Sequence, residues 1–302
     1  MIRMELVQGC EFERLPVNII MMFGSTHSSP SSTARCSNKS RKPVVVEDWI
    51  AQGTPSQDLA AWTSQFATDE ACFASRILPA DAVHGEHLSE TTRDAFLGAI
   101  SELPSGPCRV WAFLPRPGAH DGDFLDRYMR FNVGRTNAYR ELADRVSVVP
   151  AGTCVGHAGS QLVVHALWTK HAFSAIENPR QRPATLYSAR YGPVPPAFTR
   201  ATRNSTMLLA SGTASVVGES SCHEASIDEQ FAETIRNLDA LAIAARASGA
   251  WRSLQIYVRD RKDLARVEQL AHNRFGAEVE RILHAPICRR ELLVEIEGVC
   301  DV

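Results

Sequence analysis

Cys288-Arg-Arg-Glu-Leu-Leu-Val-Glu-Ile-Glu-Gly298 is the stretch on which the fold turns. Leu292, Val294 and Ile296 alternate with Leu293, Glu295 and Glu297. A period of two is a β-strand, and it sends the two sets to opposite faces. One face is wholly apolar and suits packing on helices. The other carries two carboxylates, with Cys288 just upstream. A carboxylate on a strand inside an apolar domain holds its proton to higher pH, and so serves as an acid or base near neutrality. The same pattern also suits an edge strand with both glutamates in water.

The 302-residue chain is 44% hydrophobic and 22% charged, the composition of a soluble globular protein with room for two domains or one large one. A net charge of −2 without a long basic run argues against nucleic acid or a membrane surface as the main partner. The eight cysteines include no C-x-x-C pair and no metal-ligand spacing, and read as reduced thiols of a cytoplasmic protein. The apolar run Val17 to Phe23 is too short to cross a bilayer and follows acidic residues, unlike a signal peptide. Residues 24–43 are Ser-rich and nearly free of large apolar side chains, so 1–43 is expected to be a disordered tail.

Ordered structure is expected from Val44. Ser89 suits the cap of a helix reaching about Leu103, and Arg109 to Leu114 reads as a buried strand. Asp123 suits the cap of a long helix to about Asp144, followed by strands at Val146 to Val149 and Gln161 to Trp168. Glu177 to Arg200 is Pro-rich, aromatic and basic. Its five prolines exclude a helix, and its Tyr and Arg content suits a structured loop lining a site. Thr206 to Val217 is a strand, and Ser226-Ile-Asp-Glu229 is a capping box. Leu254, Ile256 and Val258 alternate in a strand, Asp263 suits a helix cap, and strands follow at Val279 to Ile287 and Leu292 to Glu297. The second half thus runs β-α-β-α-β-β. Residues 89–169 run α-β-α-β-β, the order of 226–298, a weak repeat with Cys154 set against Cys288 and His165 against Glu295. The acid survives only in the second copy, and a cleft between the copies is the expected pocket.

With these residues laid out, Ser211-Gly-Thr-Ala-Ser215, Asp228-Glu…Asn237-Leu, Tyr257-Val-Arg-Asp260 and Leu293-Val-Glu-Ile-Glu297 resemble the reactive-intermediate deaminase (Rid/YjgF) pattern. A narrower resemblance runs from about Arg127 to Gly298. Asn178-Pro-Arg-Gln, Tyr187…Arg190-Tyr-Gly-Pro193, Phe198-Thr-Arg-Ala201 and Ile287-Cys-Arg-Arg…Val294-Glu-Ile-Glu-Gly298 look like the chorismatases. That resemblance implies an α+β chain of two Rid/YjgF-like (chorismate mutase-like) β-α-β-α-β-β domains, with mixed sheets and helices packed on one face. The expected boundaries are 44–170 for a degenerate N-terminal domain and 171–302 for the catalytic one. It also implies roles: Glu295 as catalytic acid/base, Cys288 as a catalytic-site residue, and Tyr128, Arg135, Tyr187, Arg200 and Ala214 as substrate contacts. On pattern alone the arginines also suit ion pairs and the tyrosines packing.

The chemistry suits these types. Chorismate carries two carboxylates and an enol ether. Guanidinium groups bind carboxylates bidentately, and a neutral acid protonates the enol methylene. The resemblance therefore implies release of pyruvate and a hydroxybenzoate, without metal or organic cofactor, by a monomer or homotrimer. In that family a cysteine at the position of Cys288 goes with hydroxybenzoate formers, and the product expected here is 3-hydroxybenzoate, alone or with 4-hydroxybenzoate. Chorismate hydrolysis to a dihydroxy diene acid, imine hydrolysis by a Rid-type deaminase, and a non-enzymatic acid sensor are the competing readings.

Overall fold

The computed structural model describes residues 44–46, 62–67, 69–83, 85–122 and 124–302. The expected tail 1–43 and the expected cap Asp123 lie outside the described residues. Fourteen strands follow in chain order: β1 Val44–Val46, β2 Trp62–Ala67, β3 Ala71–Leu78, β4 Arg109–Phe113, β5 Ala151–Val155, β6 Leu162–Thr169, β7 Ser174–Ile176, β8 Ala201–Arg203, β9 Met207–Ala214, β10 Val216–Val217, β11 Ser220–Ser221, β12 Trp251–Val258, β13 Val279–His284 and β14 Val294–Asp301. The α-helices are α1 Leu88–Ser101, α2 Arg127–Glu141, α3 Ile227–Ala244 and α4 Leu264–Phe275.

Two mixed sheets carry the fold, one in the order β2-β3-β6-β4-β5, the other β1-β13-β12-β14-β9-β8-β7. The same connectivity occurs twice. β3-α1-β4-α2-β5-β6 gives the spatial order β3-β6-β4-β5, and β9-α3-β12-α4-β13-β14 gives β9-β14-β12-β13. The internal repeat is therefore visible as topology. β1 departs from the expected boundary at residue 170. It runs parallel to β13 and extends the second sheet. A strand there occupies backbone groups that the β13 edge would otherwise leave open.

The sheets face each other, and each carries its helices outside. α1 and α2 bury Phe96, Ile100, Phe131 and Ala138 against Val110, Ala112 and Val164 of the first sheet. α3 and α4 bury Phe231, Leu238 and Val267 against Ile256, Val294 and Ile296 of the second. Between the sheets, Phe73, Trp111, Phe113 and Val163 meet Leu209, Tyr257, Leu283 and Val299. The apolar face of β14 packs on helices as its alternation requires. Its charged face does not meet water, because the first sheet covers it. Glu295 is 5% exposed and Glu297 6%.

Local signals hold in part. Ser226 Oγ accepts the Glu229 N–H at 3.2 Å and caps α3. α2 is capped by Asp126, whose carboxylate accepts the Met129 N–H at 2.8 Å. Ser89 lies inside α1 and donates to the Arg130 carbonyl at 3.1 Å, so it joins two helices and caps neither. Val146 and Val149 pack as coil against the helix-side core, and the strand begins only at Ala151. Burial of 151–155 decided this; two spaced valines do not make a ladder. β2 and β3, unforeseen from the sequence, complete the first unit.

The candidate active site

β14 delivers Glu295 to the floor of a cavity of about 250 Å³. Around it stand Tyr128 from the start of α2, Tyr187 and Arg200 from the Pro-rich segment, Gly212 and Ala214 from β9, and Cys288 and Arg289 from the loop after β13. Ala214 is directly opposite Glu295 across the antiparallel pair. Directly opposed residues share a face, so both look into the cavity. Cys288 packs in the small apolar cluster of Ala214, Val216, Ile287 and Leu292.

The Pro-rich segment is pinned from several sides. Asn178 Nδ2 donates to the Asn237 carbonyl at 2.8 Å, and Arg180 Nε to Asn237 Oδ1 at 2.9 Å. Arg182 N–H donates to Gly218 O at 2.8 Å, while Ser188 donates to Glu219 through both its N–H and its hydroxyl, at 3.0 and 2.6 Å. Asn178 and Asn237 thus serve the scaffold. The pinning presents Tyr187, 7% exposed, with its phenol oxygen accepting from Arg200 Nη2 at 2.5 Å. Arg200 Nη2 also reaches the Arg182 carbonyl at 2.9 Å, and its Nε is buried without a partner.

Arg289 received no role from the sequence, although it follows Cys288 in the deciding stretch. Its guanidinium stacks 3.9 Å from the Tyr191 ring centre and 5.0 Å from that of Tyr187. One nitrogen, Nη1, donates to the Glu219 carbonyl at 2.8 Å. Arg135 is placed differently from the expectation. It is 3% exposed, gives Nη2 to Asn132 Oδ1 at 2.6 Å, and lies over the rings of Phe131 and Phe198. Phe198 lines the cavity and Arg135 stands behind it. The reach of a side chain past an aromatic neighbour is not encoded in helical spacing.

Burial is the main reason that the Glu295 carboxyl holds its proton up to about pH 8; the neighbouring Glu297 adds to it, while Arg109, Arg200 and Arg289 pull the other way. Among the described residues it makes no hydrogen bond or ion pair. Gly212 is what leaves room for it: a Cβ there would lie 1.9 Å from Glu295 Oε1. Burial also pushes the Cys288 thiol up to about 12, so it is a neutral thiol at physiological pH. Tyr128, beside it and stacked on Phe131, is held well above the usual phenol range by burial.

Among the described residues the first unit shows no such site. Trp111 faces His165 as Tyr257 faces Glu295, so His165 occupies the acid's register position. Its ring is fully buried between Phe73 and Phe113, bonds the Ser75 hydroxyl at 2.7 Å, and is pushed down to about 3 by burial. The cysteines are not equivalent: Cys154 is on β5 opposite Ala112, and Cys288 is in a loop. Among the described residues no cluster of metal-ligating side chains occurs, and no helix is long and apolar enough to cross a membrane.

Fold and cavity together define an α+β protein whose cavity brings a buried carboxyl and the guanidinium groups of Arg200 and Arg289 together. A family model described as "Chorismatase FkbO/Hyg5-like, N-terminal" matches residues 47–168. A 3-hydroxybenzoate synthase of Streptomyces hygroscopicus is 30% identical, over 70% of this chain and 69% of that protein. A chorismatase of Streptomyces rapamycinicus is 30% identical, over 84% of this chain and 81% of its own. A chorismatase crystal structure superposes with a TM-score of 0.70 at 26% identity, covering 79% of this chain and 77% of that one. The chain belongs to the chorismatase family.

Proposed function

We propose that the protein cleaves the enolpyruvyl ether of chorismate, releasing pyruvate and a hydroxybenzoate: 3-hydroxybenzoate, alone or with 4-hydroxybenzoate. The observation that carries this reading is Glu295, a buried carboxyl neutral at pH 7 on the floor of an arginine-lined cavity. The relatives named 3-hydroxybenzoate synthase and chorismatase support it. Glu295 gives its proton to the enol methylene and leaves an oxocarbenium ion. Arg200 and Arg289 hold the two substrate carboxylates. Arg135 supports the wall through Phe198.

Cys288 and Ala214 occupy space beside the cation where a hydrolytic water would stand, and a thiol is a weak partner for water. The ring hydroxyl then adds to the cation, forming a cyclic ketal and giving its proton to the Glu295 carboxylate. Glu295 returns that proton to a ketal oxygen as its bond to the ring breaks, a ring C–H then gives its proton to Glu295 so that the ring aromatises, and the remaining hemiketal collapses to pyruvate and the hydroxybenzoate. No water is consumed in the sum, whereas the diene acid requires one. Two domains, 44–170 and a catalytic 171–302, suit the duplicated topology, with β1 crossing to the second sheet. Sheets that bury a face on each other within one chain suit a monomer, and the six cysteines among the described residues, all unpaired, suit the cytoplasm. The test is incubation with chorismate, with pyruvate read by a coupled assay and ring products by chromatography. Absence of pyruvate would remove the reading, and diene acid as the product would replace it with hydrolysis.

A further inference from the structure

A second group of charges is buried where the two sheets meet, and the reaction just described makes no use of it. Arg109 on β4 is 1% exposed and donates Nη2 to Glu297 Oε2 at 2.6 Å. Thr153 on β5 donates its hydroxyl to the same oxygen. From the other sheet, Tyr257 OH and Gln255 Nε2 donate to Glu297 Oε1 at 2.9 and 3.2 Å. Four donors converge on the Glu297 carboxyl. It is not among the residues lining the cavity.

Burying such a pair carries a desolvation cost that apolar packing would avoid, so its position matters. Glu297 is two residues along β14 from Glu295 and on the same face, roughly 7 Å away by strand geometry. A second connection runs through the backbone. Thr153 Oγ1 accepts the Gly212 N–H at 2.9 Å, and Gly212 is the residue against which the Glu295 carboxyl lies.

We propose that Arg109, Thr153 and Glu297 are positioning residues for Glu295: they fix the Gly212 backbone beneath its carboxyl and hold a permanent negative charge beside it, so that it meets the substrate as a neutral acid. This rests on the reading of Glu295 as the proton donor in chorismate cleavage. The other groups facing Glu295 are what this charge acts against. Arg109 comes from β4, Arg200 from the Pro-rich segment and Arg289 from the loop after β13. Cys154, Cys288 and Tyr257 are neutral, since burial raises all three. These three cations pull the carboxyl toward ionisation against the burial that keeps it neutral, and Glu297, paired with Arg109, offsets one of them.

The experiment is the pH dependence of kcat/KM for chorismate in wild type and Glu297→Gln. In wild type the activity falls as pH rises through about 8. In Glu297→Gln that limb moves down by roughly 1–2 pH units, the coupling of two charges about 7 Å apart in a partly screened interior. A uniform loss of rate with the limb unmoved would overturn the proposal. Removing Glu297 leaves Arg109 unpaired, so a second measurement spares the cluster. The infrared difference between wild type and Glu295→Gln at pH 7 is expected to show loss of a protonated carboxyl band. Loss of a carboxylate band instead would also overturn it. If wild type releases no pyruvate from chorismate, the functional reading fails, and the infrared result still decides the charge state.

Discussion

Gly212→Ala places one methyl carbon where the catalytic carboxyl now rests. The added carbon would stand 1.9 Å from Glu295 Oε1, 2.7 Å from Cδ and 3.2 Å from Cγ. Real Cβ contacts essentially never fall under 3.0 Å, so the nearer oxygen must retreat by about 1.1 Å, the difference of the two distances. The retreat is open to it. The clash is with the end of a flexible side chain that lines the cavity. The backbone has no objection either, since Gly212 is not among the glycines with positive φ, and alanine in a strand is favoured over glycine by about 0.5–1 kcal/mol. Stability is therefore expected to stay within about 1 kcal/mol of wild type. Activity is not, because a displacement of about 1 Å from a reacting geometry typically costs on the order of 10²-fold. Thermal denaturation and steady-state pyruvate release test both halves. A folded Gly212→Ala enzyme with near wild-type kcat/KM would refute the reasoning, since the acid would then not need the place it occupies.

Glu295→Gln is expected to lower turnover by about 10²–10⁴-fold with the fold kept. The folded carboxyl binds its proton up to about pH 8 against 4.5 for the free group, so wild-type stability falls as pH rises across that window, by about 1.4 kcal/mol per unit and about 5 kcal/mol in all. The glutamine variant lacks this slope, and denaturant titrations at the two ends of the window would expose a wrong assignment by giving parallel losses. Arg200→Ala and Arg289→Ala should each weaken chorismate binding, with lysine rescuing only partly, because a point charge cannot reproduce the fork; unchanged affinity in both would end the two-arginine clamp. Cys288→Ala opens room for water and is expected to shift the products toward the diene acid, and chromatography showing an unchanged mixture would rule out the thiol as the selector.

The alternation in 292–297 already placed Glu295 and Glu297 on one face and the aliphatic residues on the other, because the strand period is local. The capping box at Ser226 was legible for the same reason, a contact over three residues. The motifs named the family and brought Tyr128, Tyr187, Arg200, Ala214 and Cys288 to one cavity, where the structure shows them together. Elements that depend on distant partners were harder. β2 and β3 carry no capping or turn signal of comparable strength, and Val146 to Val149 looked like a strand until burial selected 151–155.

The sequence by itself therefore determined a β-α-β-α-β-β unit, its weak duplication, and an acid on the strand that ends it. Whether that acid faced water or an apolar interior was open, since period two assigns faces and says nothing of what covers them. Only the tertiary structure decided this, by laying the first sheet over the charged face and leaving Glu295 5% exposed. It also set Arg289 in the cavity wall and Arg135 behind Phe198, and it brought Arg109 to Glu297 across 188 residues. Those outcomes depend on which surfaces meet when the two sheets close on each other, and no local period carries that information.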